Sequence, residues 1–237
     1  MNDLEGRVVV ITGAAGNLGA ATARLFASRG AKLVLLDRDE KRVREELEEI
    51  ARSPNHRIAA TDVTDESSVR SVVIPAEQEL GPIQGLVCTV GGYKGGVTVM
   101  DTAWSDWELM LAINLRATVA CSRAVLPRLL ARRSGSIVHL ASLAAIGPGP
   151  GQAAYSATKS AVLSFSESLA AETKEQGVRV NAVLPGTMDT PQNRAWMSDA
   201  DRDRAVDPIA VAEVIAFLVS EASRAVTGAA IRVSGKQ

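Results

Sequence analysis

Apolar and polar positions along this chain alternate between two rhythms. Short apolar runs at Val8–Ile11, Lys32–Leu36, Arg57–Ala60, Ile83–Thr89, Ser136–Ala141, Val178–Leu184 and Ala230–Val233 each read as a strand. Between them lie helical stretches: from a glycine turn to Arg29, Glu40–Ala51, a segment opening at Asp65, Trp104–Leu130, Ala153–Gln176 and Pro208–Val219. Asp65 is a plausible N-cap, Gly177 a C-cap, and Pro208 suits the first helical position. Pro75 is placed to kink or shorten its helix. The strands are apolar throughout rather than alternating, which predicts burial on both faces. Strand–helix alternation of this kind specifies a doubly wound α/β fold, a mostly parallel sheet with helices on both faces. No repeat or linker interrupts it, so residues 1–237 are expected to form one domain. The polar, irregular stretch 187–207 is expected to be a short lid over a substrate.

Composition narrows the field. The net charge is -1, from 26 basic and 27 acidic residues, so no basic field marks a nucleic-acid or anionic-membrane partner. Apolar residues make up 46% and charged residues 22%, which excludes a disordered chain. The two cysteines, Cys88 and Cys121, sit in apolar runs and read as buried thiols, with a reducing cytoplasm as the expected compartment. Asp3 and Glu5 do not make the basic region of a signal peptide. No stretch approaches the roughly 18 uncharged apolar residues of a membrane span. No metal site is expected.

The first turn reads Thr12-Gly13-Ala14-Ala15-Gly16-Asn17-Leu18-Gly19, between a buried strand and a helix. Gly13, Gly16 and Gly19 allow a tight turn and close backbone approach by a pyrophosphate. The amides of Asn17 and Leu18 lie at the helix N-terminus, the positive end of its dipole. A plain strand–helix turn explains the same residues. Asp37, 18 residues beyond Gly19 at the end of the second strand, can accept hydrogen bonds from an adenosine ribose and would repel a 2'-phosphate. NAD is favoured on this ground, and neighbouring Arg38 leaves NADP open. Asp62 and Val63 follow the third strand. They can meet an adenine, although capping or turn formation explains Asp62 equally well. Val90, Gly91 and Gly92 fall at the sheet edge where such folds bind ligands.

The chemistry is expected from Tyr155 and Lys159, four residues apart on one helix face. An ammonium beside the phenol is expected to lower its pKa, fitting it to exchange a proton with an alkoxide. Ser142 can hydrogen-bond a substrate oxygen, or simply cap a helix. Asn114 interrupts an apolar helix, where its amide can bond a backbone carbonyl or hold a water. No His–Asp pair accompanies Ser142. His139 reads as a satisfied structural histidine and His56 as a surface one. Tyr93, Trp196, Met197 and one of Trp104 or Trp107 can wall an apolar pocket, or merely pack. Lys94, Arg194 and Arg202 are candidates to attract an acid group, and equally surface charges.

Together these residues resemble the short-chain dehydrogenase/reductase family, over essentially the whole chain. Tyr155-Ser156-Ala157-Thr158-Lys159 matches its YxxxK motif, Ser142 stands 13 residues earlier, and Asn114 completes an Asn-Ser-Tyr-Lys tetrad. The resemblance implies that tyrosine is the acid/base, lysine holds ribose, serine positions substrate, and asparagine supports a proton relay. Pro185-Gly186-Thr187 resembles the family's PG motif along the nicotinamide, with Thr190 a further contact. The implied strand order is 3-2-1-4-5-6-7, in an NAD(P)-dependent oxidoreductase acting on a carbonyl or alcohol. A homotetramer built from the long helices is implied, with a dimer the alternative. Two departures stand out: Asn17 occupies a usual glycine position, and Thr89-Val90-Gly91 replaces the usual NAG. Segments 91–96 and 189–194 are similar to dihydropteridine reductase, so pterin reduction is one alternative. Ketoacyl reduction and a non-catalytic dinucleotide sensor are the others.

Overall fold

A computed structural model of the chain describes residues 3–236; residues 1, 2 and 237 of the expected domain lie outside that range. Its strands are β1 (Val8–Thr12), β2 (Lys32–Asp37), β3 (His56–Ala60), β4 (Ile83–Cys88), β5 (Gly135–Leu140), β6 (Val178–Pro185) and β7 (Ala230–Val233). Its helices are α1 (Asn17–Ser28), α2 (Glu40–Glu46), α3 (Glu48–Ala51), α4 (Glu66–Leu80), α5 (Trp104–Met110), α6 (Ala117–Arg132), α7 (Ala153–Thr173), α8 (Pro191–Arg194), α9 (Asp199–Arg202) and α10 (Pro208–Val219). The strands form one seven-stranded sheet in the order 3-2-1-4-5-6-7, and every pairing is parallel.

The unbroken apolar strands make sense once their two faces are separated. Successive side chains point to opposite faces. Val9, Ile11, Leu33 and Leu35 therefore join a core with Phe26 of α1 and Val211 and Ile215 of α10. Val8, Val10, Val34 and Leu36 join a second core with Val69 and Val73 of α4, Ala124 of α6 and Leu169 of α7. Both faces are covered, as the sequence pattern requires.

Helix ends follow the predicted signals, with instructive exceptions. Asp65 caps α4, accepting from the amides of Ser67 (3.0 Å) and Ser68 (3.3 Å). Gly177 takes a left-handed φ of 74° after a short 3-10 turn that ends α7. Pro75 does not shorten α4, which runs on to Leu80. The predicted helix Glu40–Ala51 is broken at Leu47. Arg24 takes the Glu46 carbonyl there at 2.6 Å. The bend turns Leu47 and Ile50 inward beside Val43. Residues 187–207 are not wholly irregular, since they carry α8 and α9.

The helical run Trp104–Arg132 passes through a π-helical segment, Leu111–Arg116. Contrary to expectation, this 29-residue run is long and apolar enough to cross a membrane, by length and composition alone. Half of its apolar window is buried inside the fold. Arg116 and Arg123, which lie on it, reach the Thr64 carbonyl and the Glu66 carboxylate. It is placed as a core helix.

Neither histidine lies free on the surface. His56 is half-buried, and its Nδ1 accepts from the Leu33 amide at 3.1 Å, which corrects the surface reading. His139 is fully buried between the hydroxyls of Ser122 (2.9 Å) and Ser166 (2.8 Å). Burial pushes its pKa from 6.5 down to about 3. The unfolded chain thus binds a proton that the folded chain refuses between those values, so this site loses stability as pH falls below 6.5. We expect melting temperature to fall more steeply from pH 6.5 to 4 in the wild type than in His139→Gln. Parallel curves in a calorimetric pH series would contradict this.

Candidate active site

All the sequence-predicted site residues lie at or beyond the carboxyl ends of the strands, the edge where open parallel sheets bind ligands. Gly13, Gly16, Asn17, Leu18 and Gly19 make the β1–α1 turn. Asp37 ends β2, Asp62 and Val63 follow β3, and Val90 and Gly91 follow β4. Ser142 follows β5, Pro185 ends β6 with Gly186 and Thr187 after it, and Asn114, Tyr155 and Lys159 face this edge from the π segment and α7.

The glycine turn is folded tightly. The Gly13 amide donates to Leu36 at 2.7 Å, and the Gly16 amide to Gly13 at 2.9 Å. The first intrahelical bond of α1 runs from the Ala20 amide to Gly16, so the amides of Asn17, Leu18 and Gly19 precede the helical ladder. A Cβ on Gly19 would lie 2.1 Å from the Gly13 carbonyl oxygen, so only glycine permits this packing. Asp37 braces the turn: its Oδ2 accepts from the Ala15 amide at 3.1 Å and its Oδ1 from the Asp39 amide at 3.3 Å. The two departures from the family pattern are accommodated. Thr89 donates to the Thr12 carbonyl at 2.5 Å, tying β4 to β1, and Asn17 donates to Gln192 at 2.7 Å.

Asp62 accepts from the amide and hydroxyl of Thr64 at 2.9 and 2.7 Å, the bonds of a turn residue. These bonds hold its carboxyl below the usual range. Val63 is buried in the core, and its carbonyl meets the Cys121 thiol. The Thr190 hydroxyl caps α8, accepting from the Asn193 amide at 3.2 Å.

Asn114 assembles the centre of the site. It is fully buried. Its Oδ1 accepts from the Gly92 amide at 3.0 Å, while its Nδ2 donates to the Gly92 carbonyl at 3.1 Å and to Thr158 at 3.2 Å. The expected backbone contact is therefore made, to both polar groups of one residue. Beside it, a Cβ on Gly91 would lie 2.9 Å from Asn114 Oδ1 and 3.1 Å from Lys159 Nζ. This is a cradle that a side chain would fill.

Lys159 is buried, donates to the Leu140 carbonyl at 2.8 Å, and has its pKa pushed by burial from 10.5 down to about 8. Its Nζ lies 6.0 Å from the Tyr155 ring centre. The expected depression of the Tyr155 pKa is not found. Burial raises it, a hydrogen bond with Ser142 works against that rise, and the Tyr93 phenol adds to it. Desolvation of the phenolate sets the direction, and the Lys159 ammonium gives its hydrogen bond to the Leu140 carbonyl instead. Ser142 also caps a 3-10 turn by accepting from Ala144.

Tyr93 stands edge-on to Tyr155, ring centres 5.1 Å apart at 75°. Tyr93, Trp104 and Trp196 are all largely exposed, and Met197 is buried within the 187–207 segment. The candidate cations are engaged: Lys94 with Asp106 at 3.3 Å, Arg194 with Asp189, and Arg202 with Asp199 at 3.6 Å. Sequence reasoning missed the roles of Thr158 and the Leu140 carbonyl. The second acts through a backbone atom, which leaves no trace in residue type.

A dinucleotide fits this edge: free amides at the head of α1, a carboxylate at the end of β2 and a side-chain-free cradle at Gly91. Such a site defines an oxidoreductase class that works with NAD(P). Comparison with known proteins makes the assignment specific. Residues 13–235 match the family model described as enoyl-(acyl carrier protein) reductase. The chain is 37% identical to cis-4-hydroxycyclohexanecarboxylate dehydrogenase of Sinomonas cyclohexanicum, covering 97% of this chain and 95% of that protein. It is 32% identical to dehydrogenase/reductase SDR family member 6 of Rattus norvegicus, covering 99% and 98%. The crystal structure of 3-ketoacyl-(acyl-carrier-protein) reductase from Brucella melitensis complexed with NADH superposes with a TM-score of 0.90, at 30% identity and coverage of 98% and 99%. The chain belongs to the short-chain dehydrogenase/reductase family and is an NAD(P)-dependent oxidoreductase.

Gly19→Ala is expected to destabilise the fold by about 1–3 kcal/mol through overpacking, measured by urea unfolding. Wild-type stability would show that the turn relaxes around the added methyl.

Proposed function

We propose that this enzyme moves a hydride between NAD and a neutral, apolar secondary alcohol or ketone, with Tyr155 as the acid/base. The observation that carries this is the Tyr155 ring standing 6.0 Å from the buried Lys159 ammonium, with Ser142 following β5 at the same sheet edge. A bound nicotinamide supplies or accepts the hydride. Gly13, Gly16, Asn17, Leu18 and Gly19 would hold the pyrophosphate, with Asp37 at the adenosine ribose. Asp62, Val63, Val90 and Gly91 would line the adenosine side, and Lys159, Pro185, Gly186, Thr187 and Thr190 the nicotinamide side. Ser142 orients the substrate oxygen, and Asn114 holds the Gly91–Gly92 backbone in place through Gly92.

The raised pKa of Tyr155 leaves the phenol protonated at neutral pH, ready to donate to a developing alkoxide. Oxidation of an alcohol needs that proton removed, so its rate is expected to rise as pH climbs through the alkaline range. Tyr155→Phe is expected to lower kcat about 10²–10⁴-fold while leaving cofactor binding measurable. Near-normal turnover by that variant on a substrate panel would reject Tyr155 as the acid/base.

Several observations favour a neutral substrate. Lys94, Arg194 and Arg202 are paired with carboxylates, while Tyr93, Trp104 and Trp196 offer exposed aromatic surface. The Sinomonas relative is named for a cyclic hydroxy acid; the ring of such a compound suits these aromatics, while its carboxylate finds no unpaired partner among Lys94, Arg194 and Arg202. Segment 187–207 would act as the lid. The presence of Ser142 at this edge favours carbonyl chemistry over pterin reduction, which predicts activity that survives loss of Ser142. Exposed Leu109 and Leu111, on the long helical run, support the expected oligomer.

Asp37→Ala is expected to shift the NAD-to-NADP affinity ratio toward NADP by about tenfold, the scale of a charged hydrogen bond. Titration of both cofactors would measure it, and an unchanged ratio would remove the ground for preferring NAD.

A further inference from the structure

The dinucleotide turn and the 187–207 segment meet through two side chains 175 residues apart: Asn17 Nδ2 donates to Gln192 Oε1 at 2.7 Å. Asn17 opens α1, yet Gly16 holds the N-cap position with no side-chain cap bond. The amide of Asn17 therefore reaches across rather than back onto its own helix. Gln192 stands on a braced arm. Thr190 caps α8, Asn193 donates to the Met188 carbonyl at 2.9 Å, and Arg194 pairs with Asp189. The arm is tied to the sheet edge by bonds from Gly186 to Val233 (3.0 Å), Val206 to Thr187 (2.9 Å) and Asp189 to Val206 (2.8 Å). Two anchored banks of the crevice are thus bridged by a bond between exposed side-chain amides.

We propose that Asn17 and Gln192 form a clasp over the bound dinucleotide, and that opening it governs how fast the cofactor leaves. The proposal rests on reading the glycine turn as the pyrophosphate cradle. Asn17 stands where the family pattern has glycine, which has no side chain to make this bond. The clasp therefore belongs to this chain's own sequence. A bond that must break before release acts mainly on dissociation rather than association.

The test is a double-mutant cycle read by stopped-flow displacement of NADH fluorescence, using the full-length wild type, Asn17→Ala, Gln192→Ala and the double variant. Each single change is expected to raise the NADH off-rate about fivefold, the worth of one ordinary hydrogen bond. The on-rate is expected to stay within twofold or so. Because both changes delete the same bond, the double variant is expected to match the singles rather than multiply them. Off-rates unchanged in the singles, or multiplicative in the double variant, would overturn the clasp while leaving the cofactor site intact. Wild-type protein that binds neither NADH nor NADPH would sink the cofactor reading, and the clasp with it.

Discussion

The buried amide of Asn114 holds three separate pieces of backbone in one arrangement. It satisfies both polar groups of Gly92 in the loop after β4 and reaches Thr158 on α7 from the helical run that crosses between them. The π-helical turn that carries it is part of the reason it can do so. Such a turn is rare in soluble proteins and concentrates at functional positions. Without this amide, the part-buried N–H and C=O of Gly92 would lose their side-chain partner. The Gly91 cradle, the position of Tyr93 and the setting of Lys159 all follow from the loop it fixes.

Around that joint, dehydration sets the protonation states. Burial pushes Tyr155 up and Lys159 down, so each moves toward its uncharged form. The cause is the same for both: a poorly solvated edge penalises phenolate and ammonium alike. Backbone carbonyls and hydroxyls compensate locally, Leu140 for the lysine and Ser142 for the tyrosine. His139, deeper in the same sheet, shows the limit of this effect, remaining neutral between two serine hydroxyls.

Much of this was legible in the sequence because the relevant signals are local. Apolar runs located all seven strands within a residue or so of their ends. The spacing of Tyr155 and Lys159 put them on one helix face, and Asp65, Gly177 and Pro208 announced their turns. What stayed hidden depends on distant chain. The break at Leu47 reflects a guanidinium from Arg24 and the pull of the core. The direction of the Tyr155 pKa depends on how much water the folded site admits, which residue spacing does not encode. The Gly92 clamp and the Asn17–Gln192 bond are tertiary contacts between residues far apart in the chain.

The all-parallel sheet also governs how the chain must come into being. No strand pairs with its neighbour through a hairpin, and each pairing waits on a crossover. Central β1 is the extreme case, because Val8 is flanked on one side by Lys32 but on the other by Ile83. During synthesis the first strand and its glycine turn therefore emerge long before the partner that encloses them. Nascent chains carry an open, apolar edge through that interval, which favours slow folding and early protection by chaperones.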